Sequence, residues 1–464
     1  MITIKKADPL FSEIVECAPV ELSDEVYRMR VDLLRERLEK KGMTHAVIYG
    51  DREHFSHIEY FTKYDCRFEE ALFILEANGK CHIIIGNEGW GFSQIVPFPV
   101  ERHLYQNFSL QGQPRAASKP LGEIFAQCGI GPDSTVGLCG TKYFESAYVD
   151  TDPSVTFDVP AYLLDILRGA AGTVTNFTRE LTGLPDGIRM HLYRAEEIAW
   201  AEAAANRTAA VVQRMFRQVK PGMAEYKLPS LCGVGFDAHS MHPICNFGDR
   251  SVALGMATPG TRCLKEGDPC GFCYGVRGHL TSRVGIAARD LDSVREDLRP
   301  YVESFYKKHF EAMTAWYETL SSGVTGDELY HSVMNVIGAP EFGVTLNPGH
   351  FIGTEEWSNA ISADGNQDKV PANCMMQADI IASGSNPVRT SICEDGVVVA
   401  DCDMRDQLRQ QYPEVYARMQ RRRQVMADCL GIHLHEDVLP LSNLNAVYYP
   451  FMLNTGLVFA KVDE

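Results

Sequence analysis

No stretch of eighteen apolar residues occurs in the chain, so nothing in it predicts a membrane-spanning helix. The first twenty residues lack the apolar core of a secretory leader, being interrupted by Lys5, Lys6, Asp8, Glu13 and Glu16. Positive charge is in short supply. The 44 Lys and Arg face 61 Asp and Glu, a net charge of −17, which repels phosphate backbones and anionic lipid. These absences predict a cytoplasmic protein with no nucleic-acid partner and no membrane partner. The fourteen cysteines, scattered from Cys17 to Cys429, lack the dense spacing of a disulfide framework and read as reduced thiols. Common catalytic signatures are missing too: there is no Gly-x-Ser-x-Gly elbow, Walker loop or His-Glu-x-x-His. Gly86-Asn-Glu-Gly-Trp-Gly91 is glycine-dense but has no Lys and follows a hairpin strand, so it reads as a turn. Cys270-Gly-Phe-Cys273 has no second pair at zinc-ribbon distance, and a strand would point its two thiols to opposite faces.

What is present fits a two-domain globular chain: 464 residues, 45% hydrophobic and 23% charged. The first half alternates helix and strand signals. Val26, Met29, Leu33, Leu34 and Leu38 recur at helical spacing over 24–41, between Ser23 as N-cap and Gly42 as stop. A strand is predicted at Ala46–Tyr49, a hairpin at Ala71–Leu75 and Cys81–Ile85 around Asn78-Gly79, and a further strand at Val136–Leu138. The pattern changes near residue 190. Long helices are predicted over Arg194–Val219 and from about Val294 to Leu320, with a shorter one opening at Gly326. Strand-like runs lie at Pro269–Tyr274, Gly278–Ile286, Met375–Ile381 and Gly396–Ala400. Long helices and runs of strands with few βαβ alternations predict an α+β fold. After Asp403 the chain reads as helical, with Arg418, Arg421, Arg422 and Arg423 on a solvated face.

Candidate chemistry gathers in three C-terminal segments. Asn347-Pro-Gly-His350-Phe-Ile-Gly353-Thr-Glu355-Glu356-Trp357 holds a histidine in a glycine-bounded loop. Asp379 and Glu394-Asp395 follow within apolar, strand-like runs. An ionised acid inside a strand is costly without a partner, so these acids are expected to share a polar site.

These segments resemble the pita-bread enzymes: creatinase, prolidase, aminopeptidase P and methionine aminopeptidase. Gly349-His350-Phe-Ile-Gly353 is similar to their Gly-His-x-Ile-Gly loop, and Glu394-Asp395-Gly-Val-Val-Val to their Glu-Asp-x-x-x-Val ending. Arg194-Ala-Glu-Glu-Ile, Pro221-Gly-Met-Ala-Glu225, Gly267-Asp268 and Ile58-Glu-Tyr60-Phe-Thr62 are similar to further family segments in the same order. The resemblance implies a creatinase-type N-terminal α/β domain, residues 1–188. It implies a pita-bread catalytic-like domain over 189–464, ending in a helical extension. It also implies a homodimer in which Tyr60 and Arg67 of one subunit reach the substrate pocket of the other.

The family's metallopeptidases hold two metal ions with two Asp, one His and two Glu. Here Cys273 stands at the first Asp position, and the second falls near Leu280 or Val284. No Asp or Glu occurs from Pro269 to Arg289, so no small shift restores either. Asp379 replaces the first Glu, Trp357 the second His of the loop, and Gly255 or a neighbour the upstream His, while His239 and His242 lie too far upstream. A two-metal centre needs bridging carboxylates, so the reading predicts no metal cofactor. The alternative is a single ion held by Cys273, His350, Asp379 and Glu394. The expected activity is metal-independent, creatinase-like hydrolysis of a C–N bond in a small amino or amidino acid or peptide-like substrate. His350 would transfer protons and Glu394 and Asp379 would bind a cationic group. Arg283 would hold a substrate carboxylate, with Glu355 and Trp357 lining the pocket. The alternatives are a non-catalytic homologue binding an amino-acid-like ligand, and an Xaa-Pro-type metallopeptidase with a degenerate site.

Overall fold

The computed structural model describes residues 1–235, 237–384 and 389–462. The chain divides into two compact units, one comprising 22–190 and the other 1–21 together with 191–464. The sixteen strands are numbered in chain order, β1 being Ile2–Lys6.

The 22–190 unit is built on a six-stranded sheet. Its strands are β2 (His45–Gly50), β3 (Ala71–Glu76), β4 (Cys81–Ile85), β5 (Glu101–Leu104), β6 (Thr135–Cys139) and β7 (Thr173–Asn176), in the order β5-β4-β3-β2-β6-β7. The pairs β2–β3 and β3–β4 are antiparallel and the others parallel. Alternate residues of one strand feed two cores: Ile48 and Phe73 belong to one, Val47 and Ile74 to the other. Period-two alternation with both faces apolar is what a sheet covered on each side requires. The helix Asp24–Lys41 buries Val26, Val31, Leu34 and Leu38. It ends at Gly42, whose φ of 65° is left-handed, where glycine stops a helix at least cost.

In the second unit, β8 (Met241–Phe247), β9 (Pro269–Val276) and β10 (His279–Ile286) are followed by β11 (His350–Phe351), β12 (Cys374–Gln377), β13 (Ile392–Glu394) and β14 (Gly396–Val399). The last two strands are β15 (Val438–Pro440) and β16 (Leu457–Lys461). They form two antiparallel sheets, β13-β10-β9-β8 and β11-β12-β14-β15, plus the pair β1–β16. The helix Ala195–Gln218 sets Ile198, Ala201 and Ala205 into a core shared with Cys273, Leu280 and Val398. Its alanines let the backbone come close to the strands. This is an α+β arrangement. Among the described residues no helix is long and apolar enough to cross a membrane.

The structure corrects four expectations. The first 21 residues cluster with the second unit, because β1 pairs with β16. The tail is not wholly helical: after the helices Cys402–Gln411 and Pro413–Val425 it supplies β15 and β16. The helix expected from Val294 begins only at Arg299 and passes through a π-turn over Val302–Tyr306. Finally, the arginine cluster is only partly a solvated face: Arg421 is exposed, but its neighbours are engaged. Arg422 is buried, and with Arg418 it grips the buried Glu202 at 2.9 and 2.7 Å, tying the tail to the helix Ala195–Gln218.

Candidate functional site

Strand register brings the site together. Ser282 of β10 lies opposite Cys273 of β9 on one side and opposite Glu394 of β13 on the other, which makes one row across three strands. His350 of β11 lies opposite Gln377 of β12, and Asp379 follows two residues later. Gly349 fixes the approach: its φ is 87°, and a Cβ there would stand 2.7 Å from the Trp316 indole nitrogen. Its N–H donates to the Asp379 carbonyl at 2.7 Å. Only glycine allows the loop to deliver His350 beside Asp379.

Asp379, Glu394, Glu356, Trp357, Cys273 and Ser282 lie on the wall of a cavity of about 500 Å³. The rest of the wall is mainly apolar, with Met241, Ile244, Val252, Met256, Phe272, Leu280, Val284 and Leu346 prominent. His350 is fully buried one layer behind the acids. Its ring stacks on Trp357 with centroids 4.1 Å apart and planes 21° apart. Its Nδ1 lies 3.1 Å from the Phe351 carbonyl. Its Nε2 faces three carboxylates: Glu356 Oε1 at 3.1 Å, Asp379 Oδ2 at 3.8 Å and Glu394 Oε1 at 3.9 Å. The Glu356 contact is an ion-pair approach off the N–H axis, for Nε2 makes no aligned hydrogen bond.

Burial separates the protonation states of these groups. It pushes Asp379 up to about 6, against the pull of the His350 charge. It pushes Glu394 well above the usual carboxylate range, and the neighbouring Asp379 and Glu356 push the same way. Burial works against a charged His350, but Glu356 and Asp379 outweigh it and raise the imidazole above its ordinary value. Burial and the neighbouring carboxylates thus favour the proton on Glu394 over Asp379. The Cys273 thiol is pushed far up by burial and by Glu394, so it stays protonated.

Among the described residues, His350, Asp379 and Glu394 place one ligand atom each within 4.8 Å of one another. His350 Nε2, Asp379 Oδ1 and Glu394 Oε1 are buried without hydrogen-bond partners. One imidazole and two carboxylates fit a single divalent ion. At the positions where the resemblance would put the bridging Asp residues of a pair, the cavity wall carries Cys273 and the aliphatic Leu280 and Val284.

The sequence-derived site is thus partly assembled. His350, Asp379, Glu394 and Trp357 come together. The cavity wall takes Glu356 rather than its neighbour Glu355, and it is Glu356 that stands 3.1 Å from His350 Nε2. Arg283 is not a substrate ligand. It pairs with the buried Asp395 at 2.7 Å, and the rest of its guanidinium donates to the carbonyls of Ser282, Glu394, Leu444 and Val447. Every donor is spent on the fold. Tyr60 is buried in the 22–190 unit with the Arg30 guanidinium 3.9 Å above its ring, and Arg67 lies 5.1 Å from the Phe55 ring in the same unit.

Residues 199–378 match metallopeptidase family M24. Similar crystal structures include a recombinant prolidase from Thermococcus sibiricus, with TM-score 0.62 and 17% identity over 82% of this chain and 95% of that one. A dipeptidase from Mycobacterium ulcerans gives TM-score 0.60 and 18% identity over 82% and 95%. An Escherichia coli aminopeptidase P variant gives 0.55 and 13% over 82% and 93%. No curated protein sequence matches the chain. The chain thus has the pita-bread fold of these structures, and its M24 match spans β8 through β12, taking in the His350 loop and ending just before Asp379.

Proposed function

We propose that the cluster is the acid–base centre of a hydrolase cleaving a C–N bond in a small substrate that bears an amine and an apolar group. One observation carries this reading. Two buried carboxyls, Asp379 and Glu394, share the wall of one mainly apolar cavity, with a histidine nitrogen 3.8 and 3.9 Å from them. Environments that push two acids apart assign a base and an acid. Asp379, ionised above about pH 6, takes a proton from the attacking water as its oxygen bonds to the substrate carbon. Glu394 gives its proton to the leaving nitrogen as the C–N bond breaks. Turnover leaves the proton on Asp379, and His350 Nε2, in reach of both, returns it to Glu394. Glu356 receives the substrate amine, and Met256, Phe272 and Leu346 receive its apolar part.

None of these steps requires a resident metal. A second reading rests on the three unpartnered ligand atoms at His350, Asp379 and Glu394, which fit one divalent ion; bound there, it would act as a Lewis acid on the substrate carbonyl. The similar structures include prolidases and an Xaa-Pro dipeptidase, so Xaa-Pro dipeptides head the substrate panel, followed by small amides and amidino acids. Amine release by the chelator-stripped protein supports the metal-independent reading. Release that needs one equivalent of divalent ion, and that His350→Ala abolishes, supports the second. No release from any compound under either condition leaves the site as a non-catalytic binding pocket. The homodimer belongs to the same proposal and is read by light scattering.

A further inference from the structure

The 22–190 unit holds a second cluster of ligating groups, unconnected with the hydrolytic site. We propose that His82, His103 and Cys128 form a binding site for one transition ion of the Zn²⁺ type. The parallel register of β4 and β5 places His82 opposite Glu101, and Ile84 opposite His103. His82 and His103 are therefore diagonal neighbours on one face of the sheet. Cys128 closes the helix Leu121–Gln127 over that face, in the core that also contains Ile84.

The distances suit an ion. A tetrahedral Zn²⁺ with bonds of about 2.0 Å to nitrogen and about 2.3 Å to sulfur spaces two nitrogens by about 3.3 Å and a nitrogen from a sulfur by about 3.6 Å. His82 Nδ1 and His103 Nε2 are 3.1 Å apart, and Cys128 Sγ is 3.7 Å from that same Nε2. Glu101 Oε2 lies beside this group, 3.3 Å from His82 Nδ1. The ligand atoms of His82, His103 and Cys128 all lie within 4.8 Å of one another.

The outer contacts orient the ligands. His82 Nε2 lies 2.8 Å from Glu76 Oε1, and Asn78 holds the other Glu76 oxygen at 3.0 Å. A carboxylate on one ring nitrogen leaves the lone pair of the other, Nδ1, pointing into the cluster, as metal-bound imidazoles require. Lys80 holds the second Glu101 oxygen at 2.9 Å, steering Oε2 towards His82. Glu101 is 52% exposed along its side chain, which gives an ion a path in. Binding exchanges the Cys128 S–H bond for a sulfur–metal bond and releases one proton to solvent. The ion would tie edge strand β5 to the helix Leu121–Gln127.

The test uses the whole chain, stripped with chelator and titrated with Co²⁺, which reports thiolate ligation by a near-ultraviolet charge-transfer band. The expected result is one equivalent bound with that band present, displacement by Zn²⁺, and a higher melting temperature with Zn²⁺. Cys128→Ser should remove the band, and both it and His103→Gln should weaken binding at least tenfold. Cys273→Ser and Asp379→Asn should leave the band intact, which separates this site from the hydrolytic one. Circular dichroism of the stripped variants checks that each is folded; if one serine or glutamine variant fails to fold, the other carries the comparison. A band that survives Cys128→Ser, or no thiolate band at saturating Co²⁺, overturns the proposal and leaves a hydrogen-bonded histidine pair packed against a thiol.

Discussion

Asp379→Asn should make the protein more stable at neutral and alkaline pH while removing its chemistry. Burial lifts the Asp379 carboxyl from 3.8 to about 6. Ionising it then costs the folded chain about 3 kcal/mol more than the unfolded one. The sign follows from proton binding. Between these values the folded state holds the proton more tightly, so this group's contribution to stability falls as pH rises from about 4 to 6 and stays low above that. Asparagine keeps the shape and never ionises. The variant should therefore gain about 1–3 kcal/mol at pH 8, and that gain should shrink towards zero as pH falls to about 4. Urea unfolding of both proteins at pH 4, 5, 6, 7 and 8 reads the difference, which cancels the other titrating groups. A destabilised variant at pH 8, or a difference that does not change with pH, refutes the assignment of Asp379 as a buried, strained carboxylate beside His350.

Three further outcomes follow from the same geometry. Glu394→Gln removes a carboxyl whose proton burial holds more tightly than usual, so stability at pH 7 should not be weakened while turnover falls by about 10²–10⁴. Glu356→Gln should weaken binding of an amine ligand, measured by calorimetry, whereas Glu355→Gln should leave it within twofold, because of these two neighbours Glu356 is the one on the cavity wall. Arg283→Met should cost about 3–5 kcal/mol in chemical denaturation, since it strands the fully buried Asp395 without its partner.

The elements that frame the site were legible because they follow local periodicity. Val26 to Leu38 gave one helix, the flanks of Asn78-Gly79 a hairpin, and the apolar runs near 270–286 two paired strands. The Gly349-His350 loop and the two acids were legible because a charge inside an apolar run demands a partner. What remained hidden depends on phase or on distance along the chain. Ser282 and Arg283 are adjacent, and strand alternation puts one on the cavity wall and the other on Asp395; only the register says which is which. Glu355 and Glu356 differ by one step in an irregular loop that no period describes. The Arg422–Glu202 pair and the β1–β16 ladder join residues more than two hundred positions apart, beyond any local pattern. His82, His103 and Cys128 carry no fixed spacing, and the parallel register of an edge strand brings them together.

In the proposed hydrolysis Asp379 acts as the base and Glu394 as the acid. Amine release from the best substrate of the panel, followed across pH with chelator-stripped wild-type protein and with Asp379→Asn, tests it directly. Activity of the wild type should rise through an apparent pKa near 6, as Asp379 ionises, with no release above background from Asp379→Asn at any pH. Equal release from both proteins, or a wild-type profile flat between pH 5 and 7, would contradict it.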